Sequence, residues 1–334
     1  MRPGGTAFLR SMRTTPLEDS VQHLSQPALA RVVTIANGKG GVGKTSTATN
    51  VAGLAAAAGW HVLFIELDPQ GNAGRDLGYE MDGSGDSGQQ IFDAIMQEKP
   101  LRPSLVNYRP NLDVLPGGSG LDDLEAILIG RSQRSPGSHR QLADALSPIA
   151  DDYDLIIIDT PPTRPHLLRL ALAATRWIVI PTKPDDSSID GLQKLADELV
   201  SARSTNPDIE VLGAVLFGIE AAAKAIRREA RAKLDAALGG VAPLFNSVVR
   251  HSTMTSVQVR EKGLLAHELA EQVDNAEPYW KALKEGRRPD RVPGTAPSLA
   301  EDYVLLAQEI LQEIDRRETE QDSSAEPAHE GASA

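Results

Sequence analysis

Short apolar runs alternate with helical patterns along most of the chain. The runs are rich in Val, Ile and Leu and lack a clean polar alternation, which is typical of strands covered on both faces of a parallel sheet. They predict strands over residues 31–37, 61–67, 112–115, 154–159, 176–181, 211–218 and 244–249. The helical patterns between them include residues 44–58, 138–149, 187–203, 221–238 and 300–315. This alternation predicts an α/β fold with a doubly wound, mostly parallel sheet and helices on both faces.

The two ends of the chain lack this periodicity. Residues 1–30 contain several Pro and Gly and are predicted to be a flexible extension, too short for a separate helix-turn-helix domain. Residues 31–315 are predicted to form one folded domain, with a surface loop over 72–90 and a long irregular excursion over 276–298. Residues 316–334 are predicted to be a disordered acidic tail, since the last 17 residues include five acidic side chains and no Lys or Arg.

The amino-acid composition excludes several kinds of functional site and protein class. The 334 residues include no Cys, which excludes disulfides, thiolate catalysis, Fe–S clusters and Cys-based zinc sites. The net charge of −12 means that binding to nucleic acid or to an anionic membrane requires a local basic patch. The sequence contains no run of about 18 apolar residues, so no transmembrane helix is predicted. The N-terminus also has no apolar segment typical of a secretory signal.

The most specific motif follows the first predicted strand. Gly38, Gly43, Lys44 and Thr45 match the pattern G-x-x-x-x-G-K-[ST], and an Ala-rich helix follows. Backbone N–H groups of such a loop cradle phosphate oxygens, while the lysine reaches the β- and γ-phosphates and the hydroxyl binds Mg²⁺. The predicted nucleotide-binding residues are Gly38, Gly40, Gly41, Val42, Gly43, Lys44, Thr45 and Ser46. Lys39 is a second lysine that this pattern does not require.

Two acidic residues follow predicted strands at their carboxyl ends. Asp68 lies in Glu66-Leu67-Asp68-Pro69-Gln70-Gly71-Asn72, and Asp159 lies in Ile158-Asp159-Thr160-Pro161-Pro162. Ligands of doubly wound folds bind at this edge of the sheet. Asp159 is expected to hold Mg²⁺ through a water molecule and to accept from Thr45, and Asp68 to position the water that attacks the γ-phosphate. A helix N-cap or turn residue is the alternative for each.

These three motifs together resemble the nucleotide motifs of the ParA/MinD superfamily of deviant Walker A P-loop ATPases. The Pro69–Asn72 extension resembles the ParA branch in particular. The resemblance runs from about residue 31 to residue 315, and it includes the weaker segments Leu112–Gly117 and Leu299–Tyr303.

The resemblance implies a slow ATP hydrolase that uses Mg²⁺, with Lys39, Lys44 and Asp68 as catalytic residues. In this family the lysine at the position of Lys39 reaches the nucleotide of a partner subunit, so that ATP is sandwiched in a homodimer. The implied function is chromosome or plasmid partitioning by a cytoplasmic, nucleoid-associated protein. Its partners would be non-specific duplex DNA and a ParB-like centromere-binding protein that stimulates hydrolysis.

A basic stripe on the predicted helix 221–238 is a candidate DNA contact. Its four cations fall within an arc of about 100°, separate from the apolar arc formed by Ile226, Ala230, Leu234 and Ala237. They are Lys224, Arg227, Arg228 and Arg231. Arg250 ends the last predicted strand, where the family commonly has a basic residue implicated in DNA contact. An ordinary solvated helix face with local ion pairs is the alternative.

The main alternative function is a MinD-like membrane-cycling ATPase that positions a division inhibitor or another cargo. That function predicts a C-terminal amphipathic helix with a basic face. Residues 300–315 are instead acidic on their polar face, so no membrane partner is expected. A metabolic enzyme on the same scaffold and a non-catalytic nucleotide-binding scaffold are further alternatives. Lys183 is a candidate rim residue, whereas no residue in Phe217–Glu220 can be assigned to base recognition.

Overall fold

The computed structural model describes residues 29–132, 139–219, 242–274 and 294–325, together with 228, 229, 231–235 and 284. The strands are β1 Val32–Ile35, β2 Val62–Glu66, β3 Leu105–Arg109, β4 Leu112–Leu115, β5 Leu155–Asp159, β6 Trp177–Thr182, β7 Glu210–Ile219 and β8 Leu244–Arg250. The helices are α1 Lys44–Ala57, α2 Ala73–Leu77, α3 Gln89–Gln97, α4 Gly120–Ser132, α5 Gln141–Ala150, α6 Pro165–Ala173, α7 Asp186–Ala202, α8 Thr253–Lys262, α9 Ala266–Asp274 and α10 Ala296–Ala325.

The strands form one sheet in the order β3-β4-β2-β5-β1-β6-β7-β8. All neighbouring strands are parallel except β3, which pairs antiparallel with β4 at one edge. The central strand β1 lies between β5 and β6, and Ile35 is in register with Asp159. The loop that leaves β1 therefore emerges beside the carboxyl ends of both neighbours, which is where this class of fold binds ligands.

The central strands are buried because helices cover both faces of the sheet. Val33, Phe64 and Ile157 pack on one side with α1, α9 and α10. Alternate residues such as Leu63 and Ile158 pack on the other side with α3 to α6. This two-sided burial explains why the strands read as continuous apolar runs. The predicted doubly wound, mostly parallel α/β fold is confirmed.

The structure differs from the sequence predictions at one edge strand and at one loop. The edge strand β3 was not predicted, because most of it is half-buried or exposed and its sequence has no apolar run. The segment 72–90 is not only a surface loop, since it contains the short helix α2 and the start of α3. Ala73 and Leu77 bury one side of α2, and Tyr79 packs behind it with the core.

The boundary of the predicted acidic tail is also wrong. Helix α10 continues through residues 316–325 instead of ending near residue 315. Arg317 donates to Glu210 and to Glu313, and Arg31 donates to Glu318, so ion pairs hold this extension against the amino ends of the strands. Residues 326–334 lie outside the described part of the chain, as do residues 1–28 of the predicted extension and most of the 276–298 excursion.

Helix α10 also covers the main chain of the edge strand β8. The carboxylate of Glu309 accepts from the backbone N–H groups of Asn246 and Ser247, at 2.6 and 2.8 Å. The carboxylate of Asp302 accepts from the N–H of Arg250 at 2.9 Å and from its guanidinium at 2.6 and 2.7 Å. Side chains of α10 thus use backbone donors that an edge strand would otherwise present to solvent.

Candidate nucleotide-binding site

The glycine-rich loop joins the carboxyl end of β1 to the start of α1. Asn37 fixes its first turn, because its side-chain amide donates to Pro181 O at 2.8 Å and its amide oxygen accepts from Lys39 N at 2.9 Å. Helix α1 begins at Lys44 with no side-chain cap on its first N–H groups. A helix N-terminus of this kind binds phosphate, since free N–H groups and the helix dipole both favour an anion.

Glycine is required at position 43 for two reasons. Its φ is +90°, a conformation that residues with a Cβ rarely adopt. A Cβ atom there would also lie 2.3 Å from the ring of Phe217, which lies near the carboxyl end of β7. Gly41 has a φ of +72°, and a Cβ atom placed on Gly41 would have no neighbour within 4 Å. The loop is therefore closed on its Phe217 side and open at Gly41.

Lys44 lies inside the loop. Its side chain is buried, and its ammonium donates to Lys39 O at 3.0 Å. Burial lowers the pKa of Lys44, while the carboxylates of Asp159 and Asp68 favour the charged form. The lysine is thus held between the loop and the two aspartates predicted for the site, in reach of a phosphate bound by the loop.

Asp159 has no hydrogen-bond partner for either carboxylate oxygen, although the residue is fully buried. Burial raises its pKa to about 7, whereas the neighbouring Thr45 hydroxyl and the Lys44 ammonium lower it. Two buried oxygens without donors are costly in a folded protein. A cation beside them would remove this cost, and Thr45 is the adjacent hydroxyl. The described residues contain no group of three His, Cys, Asp or Glu that could hold a metal ion.

Asp68 follows β2, next to the strand that carries Asp159. Its carboxylate is 6% exposed and accepts from Gln70 N at 3.0 Å, in a tight turn that leads into α2. The structure thus places Lys44, Asp68 and Asp159 together at the loop. Ser46, one residue beyond Thr45, donates to the buried carboxylate of Asp76 on α2 at 3.2 Å. Arg260 of α8 also donates to Asp76.

Lys39 has a partner in its own chain. Its Nζ atom lies 2.6 Å from Asp185 Oδ1 and 2.6 Å from the hydroxyl of Ser187, at the start of α7. Asp185 is also the N-cap of α7, since it accepts from Ser188 N at 2.8 Å. Partial burial would raise the pKa of Asp185, but the bonds from Lys39 and the two serines outweigh it and hold the pKa well below its usual range.

Sequence reasoning missed the role of Asp185. The signal that could have found it is the run Asp185-Asp186-Ser187-Ser188, which is typical of a helix start. Lys183, the predicted rim residue, lies half-buried at the end of β6 against Gly218. Nothing in the sequence linked this segment to Lys39, which is 146 residues away.

The predicted DNA contacts are only partly described. Lys224 and Arg227 lie outside the described residues, and Arg228 is exposed. Arg231 donates to the backbone carbonyls of Phe245 and Leu244 at 2.8 and 3.3 Å. Arg250 forms the two-point pair with Asp302 described above. The guanidinium groups of Arg231 and Arg250 therefore stabilise β8 and α10, whereas Arg228 points to solvent.

Among the described residues, none of the helices combines the length and apolarity needed to cross a bilayer. A family model described as an AAA domain matches residues 30–211. The chain is 36% identical over 193 residues to the chromosome partitioning protein ParA of Myxococcus xanthus, covering 56% of this chain and 65% of that protein. It is 37% identical over 190 residues to ParA of Caulobacter vibrioides, covering 56% of this chain and 68% of that protein. The chain thus spans slightly less than two thirds of the Myxococcus relative.

Solved structures share this fold over most of the chain. Apo McdA from Cyanothece superposes with a TM-score of 0.63 at 22% identity, covering 84% of this chain and 99% of that one. Cobyrinic acid a,c-diamide synthase from Mycobacterium smegmatis superposes with a TM-score of 0.57 at 25% identity, covering 79% and 99%. The latter structure contains an ATP analogue and magnesium. This fold therefore supports binding of a nucleotide with magnesium.

Proposed function

The chain belongs to the ParA/MinD superfamily of P-loop ATPases, and from that membership we propose that it is a ParA-type partition ATPase. It binds Mg–ATP, dimerises around the nucleotide, holds duplex DNA without sequence preference and is released when ATP is hydrolysed. The observation that carries this proposal is the arrangement at the phosphate loop. One lysine, Lys44, meets the Thr45 hydroxyl and the buried carboxylates of Asp68 and Asp159 where β1, β2 and β5 end, and Lys39 lies in the same loop.

Each residue of the site has a role in that proposal. The loop N–H groups and Lys44 bind the phosphates, and Thr45 and Asp159 hold Mg²⁺, the latter through a water molecule. When bound, Mg²⁺ supplies positive charge that offsets the negative charge on the phosphate oxygens. Asp68 orients the attacking water. The choice of ATP over GTP is supported by family membership alone.

Lys39 completes the site of a second copy. Lys44 already serves the phosphates of its own chain, so a second loop lysine is most useful across an interface, where it brings positive charge to the transferring phosphoryl group. In the isolated chain Lys39 is instead paired with Asp185 and Ser187. Dimerisation therefore requires that this pair be exchanged for a contact with the partner's phosphates. Turnover is slow in the absence of a stimulating partner, for which a ParB-like centromere-binding protein is proposed.

DNA binding is proposed to depend on ATP and on a small basic surface. The net charge of −12 opposes binding by the protein as a whole, so a few exposed cations must carry the contact. Arg228 is the exposed member among the described residues of the stripe, and Lys224 and Arg227 complete it. Localisation in the cytoplasm, on the nucleoid, follows from this binding.

Co-sedimentation distinguishes this function from a membrane-cycling ATPase. The full chain is mixed with non-specific duplex DNA or with anionic liposomes, each with ATP, ADP or no nucleotide. We expect pelleting with DNA only in ATP, and a steep loss as salt rises, because phosphate contacts release counterions. Binding to liposomes without binding to DNA would overturn the proposal in favour of a MinD-like function.

A further inference from the structure

Glu66, the last residue of β2, is a fully buried carboxylate that the proposed chemistry does not use. It accepts three hydrogen bonds, from Ala73 N at 2.7 Å, from the Tyr79 hydroxyl at 2.6 Å and from Gly117 N at 3.1 Å. None of these donors belongs to a Lys or Arg side chain. The nearest strand neighbour in register is another buried acid, Asp159.

The donors to Glu66 lie on both sides of the segment that carries Asp68. Ala73 begins α2, directly after Asp68–Asn72, and Gly117 lies in the loop that follows the neighbouring strand β4. A Cβ atom at Gly117 would be 2.5 Å from the Asp68 carbonyl oxygen and 2.7 Å from Glu66 Cγ. The Gly117 loop is therefore in direct contact with the main chain of Asp68, and Glu66 holds that loop in place.

The environment of Glu66 is unfavourable for a residue that serves packing alone. Burial raises the pKa of Glu66 to about 8, although the bonds from Tyr79 and Ala73 favour its ionised form. The adjacent Asp159 opposes ionisation further. An apolar side chain would avoid this desolvation cost, whereas the two oxygens of a carboxylate can accept from three donors on two separate segments, residues 73–79 and the Gly117 loop.

We propose that Glu66 is the positioning residue for Asp68. By fixing the start of α2 and the Gly117 loop, it determines where the Asp68 carboxylate lies relative to the phosphate loop. This inference rests on the proposed role of Asp68 in hydrolysis. Loss of the Glu66 acceptor then leaves nucleotide binding by the phosphate loop intact and slows the hydrolytic step.

The chain contains a matched control for this cluster. Asp113 on β4 is also a buried carboxylate that accepts from a backbone N–H, that of Asn107 at 2.6 Å, and from a tyrosine hydroxyl, that of Tyr153 at 2.8 Å. Tyr153 lies two residues before β5, so this pair lies toward the amino ends of the strands, away from the phosphate loop. Asp113→Asn and Tyr153→Phe therefore reproduce the chemical change without touching the Asp68 segment.

The test compares Glu66→Gln and Tyr79→Phe with Asp113→Asn and Tyr153→Phe in the full chain. Thermal unfolding, affinity for a fluorescent ATP analogue, kcat for ATP and amide hydrogen exchange are measured for each variant. We expect Glu66→Gln to reduce kcat about 10- to 100-fold while the affinity for the analogue changes less than about threefold, because a small misplacement of a reacting group is costly. Exchange should accelerate over residues 69–79 and at Gly117. Tyr79→Phe should give a smaller change in the same direction.

The Asp113 and Tyr153 variants should lower the Tm without reducing kcat. If Glu66→Gln lowers the Tm as much as Asp113→Asn but leaves kcat unchanged, Glu66 has only a structural role and the inference is overturned. Equal losses of kcat in both pairs would overturn it as well. Absence of ATP hydrolysis by the wild-type chain would instead contradict the proposed function. In that case, faster hydrogen exchange around Asp68 in Glu66→Gln would still support the inference that Glu66 holds this segment in place.

Discussion

The Nζ atom of Lys39 lies 2.6 Å from Oδ1 of Asp185, within the same chain. The two side chains are 25% and 46% exposed, so water screens the pair and its strength is that of a surface ion pair. Such a pair is strong enough to orient Lys39 and weak enough to be exchanged for a phosphate contact. In the proposed ATP-dependent dimer, Asp185 would compete with the partner subunit's nucleotide for the same ammonium group.

Asp185→Asn should favour the ATP-dependent dimer. Removing the charge weakens the hold on Lys39 by about 0.2–1 kcal/mol in each protomer, which corresponds to a roughly two- to thirtyfold lower dissociation constant of a dimer in which both lysines are exchanged. Analytical ultracentrifugation with a non-hydrolysable ATP analogue measures this constant. Ser187→Ala, which removes a neutral contact to the same ammonium, is the control and should have a smaller effect. A weaker dimer in Asp185→Asn would mean that Lys39 works together with Asp185 in its own chain.

Lys39→Ala should separate nucleotide binding from dimerisation. The ammonium of Lys44 remains at the phosphates, so ATP affinity should stay within about threefold of the wild type, while ATP-driven dimerisation and hydrolysis fall at least about tenfold. Lys44→Ala is the matched comparison and should lose ATP binding itself. Isothermal titration and a phosphate-release assay measure the two properties. Normal hydrolysis by Lys39→Ala would show that the interface role is wrong.

Ionisation of Asp159 should make the free energy of unfolding of the nucleotide-free protein depend on pH. The pKa of Asp159 is raised to about 7, so the folded chain retains a proton that the unfolded chain releases near about pH 4. Stability therefore falls as pH rises from about 4 to about 7, by up to ~1.4 kcal/mol per pH unit, and this contribution levels off above about 7. Glu66, with a pKa raised to about 8, acts in the same direction. Asp159→Asn should flatten the slope in urea unfolding series between pH 4.5 and 7.5.

The same ionisation should govern affinity for Mg–ATP. An ionised Asp159 is needed beside the cation, so affinity should weaken up to about tenfold for each pH unit below about 7. Titration with Mg–ATP at pH 6, 7 and 8 measures this, and titration with ATP in EDTA is the control that should vary less. A flat affinity for Mg–ATP over this range would argue against Asp159 as part of the magnesium site.

Arg228 and Arg231 should respond differently to substitution. Arg228 is exposed, so Arg228→Ala should weaken ATP-dependent DNA binding, lower the salt slope by about one and leave the Tm unchanged. Arg231 donates to two carbonyls of β8, so Arg231→Ala should lower the Tm by several degrees, for a loss of about 1–3 kcal/mol. Fluorescence anisotropy over a salt series, with thermal unfolding in parallel, distinguishes the two. Unchanged DNA binding in Arg228→Ala would remove Arg228 from the proposed interface.

The strands and the phosphate loop could be predicted from the sequence because their signals are local. A run such as Leu155–Ile158 must be buried on both faces, and the spacing from Gly38 to Thr45 is itself the motif. The edge strand β3 was missed because an exposed edge needs no apolar run. The helix over residues 316–325 was not predicted, because the acidic residues of this segment were considered only as an excess of negative charge. Arg317 is instead paired with specific acids, at Glu210 and Glu313.

The contacts that define the site beyond its motifs are not local. Asp185 meets Lys39 across 146 positions, and Gly117 meets Glu66 across 51. Such pairs depend on which strands become neighbours in the sheet. Strand order is set by the packing of the whole domain, so no pattern within one segment reports it. Glu66 was visible in the sequence two positions before Asp68, but its three donors were not.

The carboxylates of Asp302 and Glu309 have a consequence for how copies of this chain can meet. They engage the main-chain N–H groups of Asn246, Ser247 and Arg250, which are the groups that a foreign strand would need in order to extend the sheet at β8. Growth of an open-ended fibre by strand addition is thereby opposed at this edge. In the proposed cycle of dimerisation and release, an edge that is closed to strand addition keeps each encounter between two copies reversible.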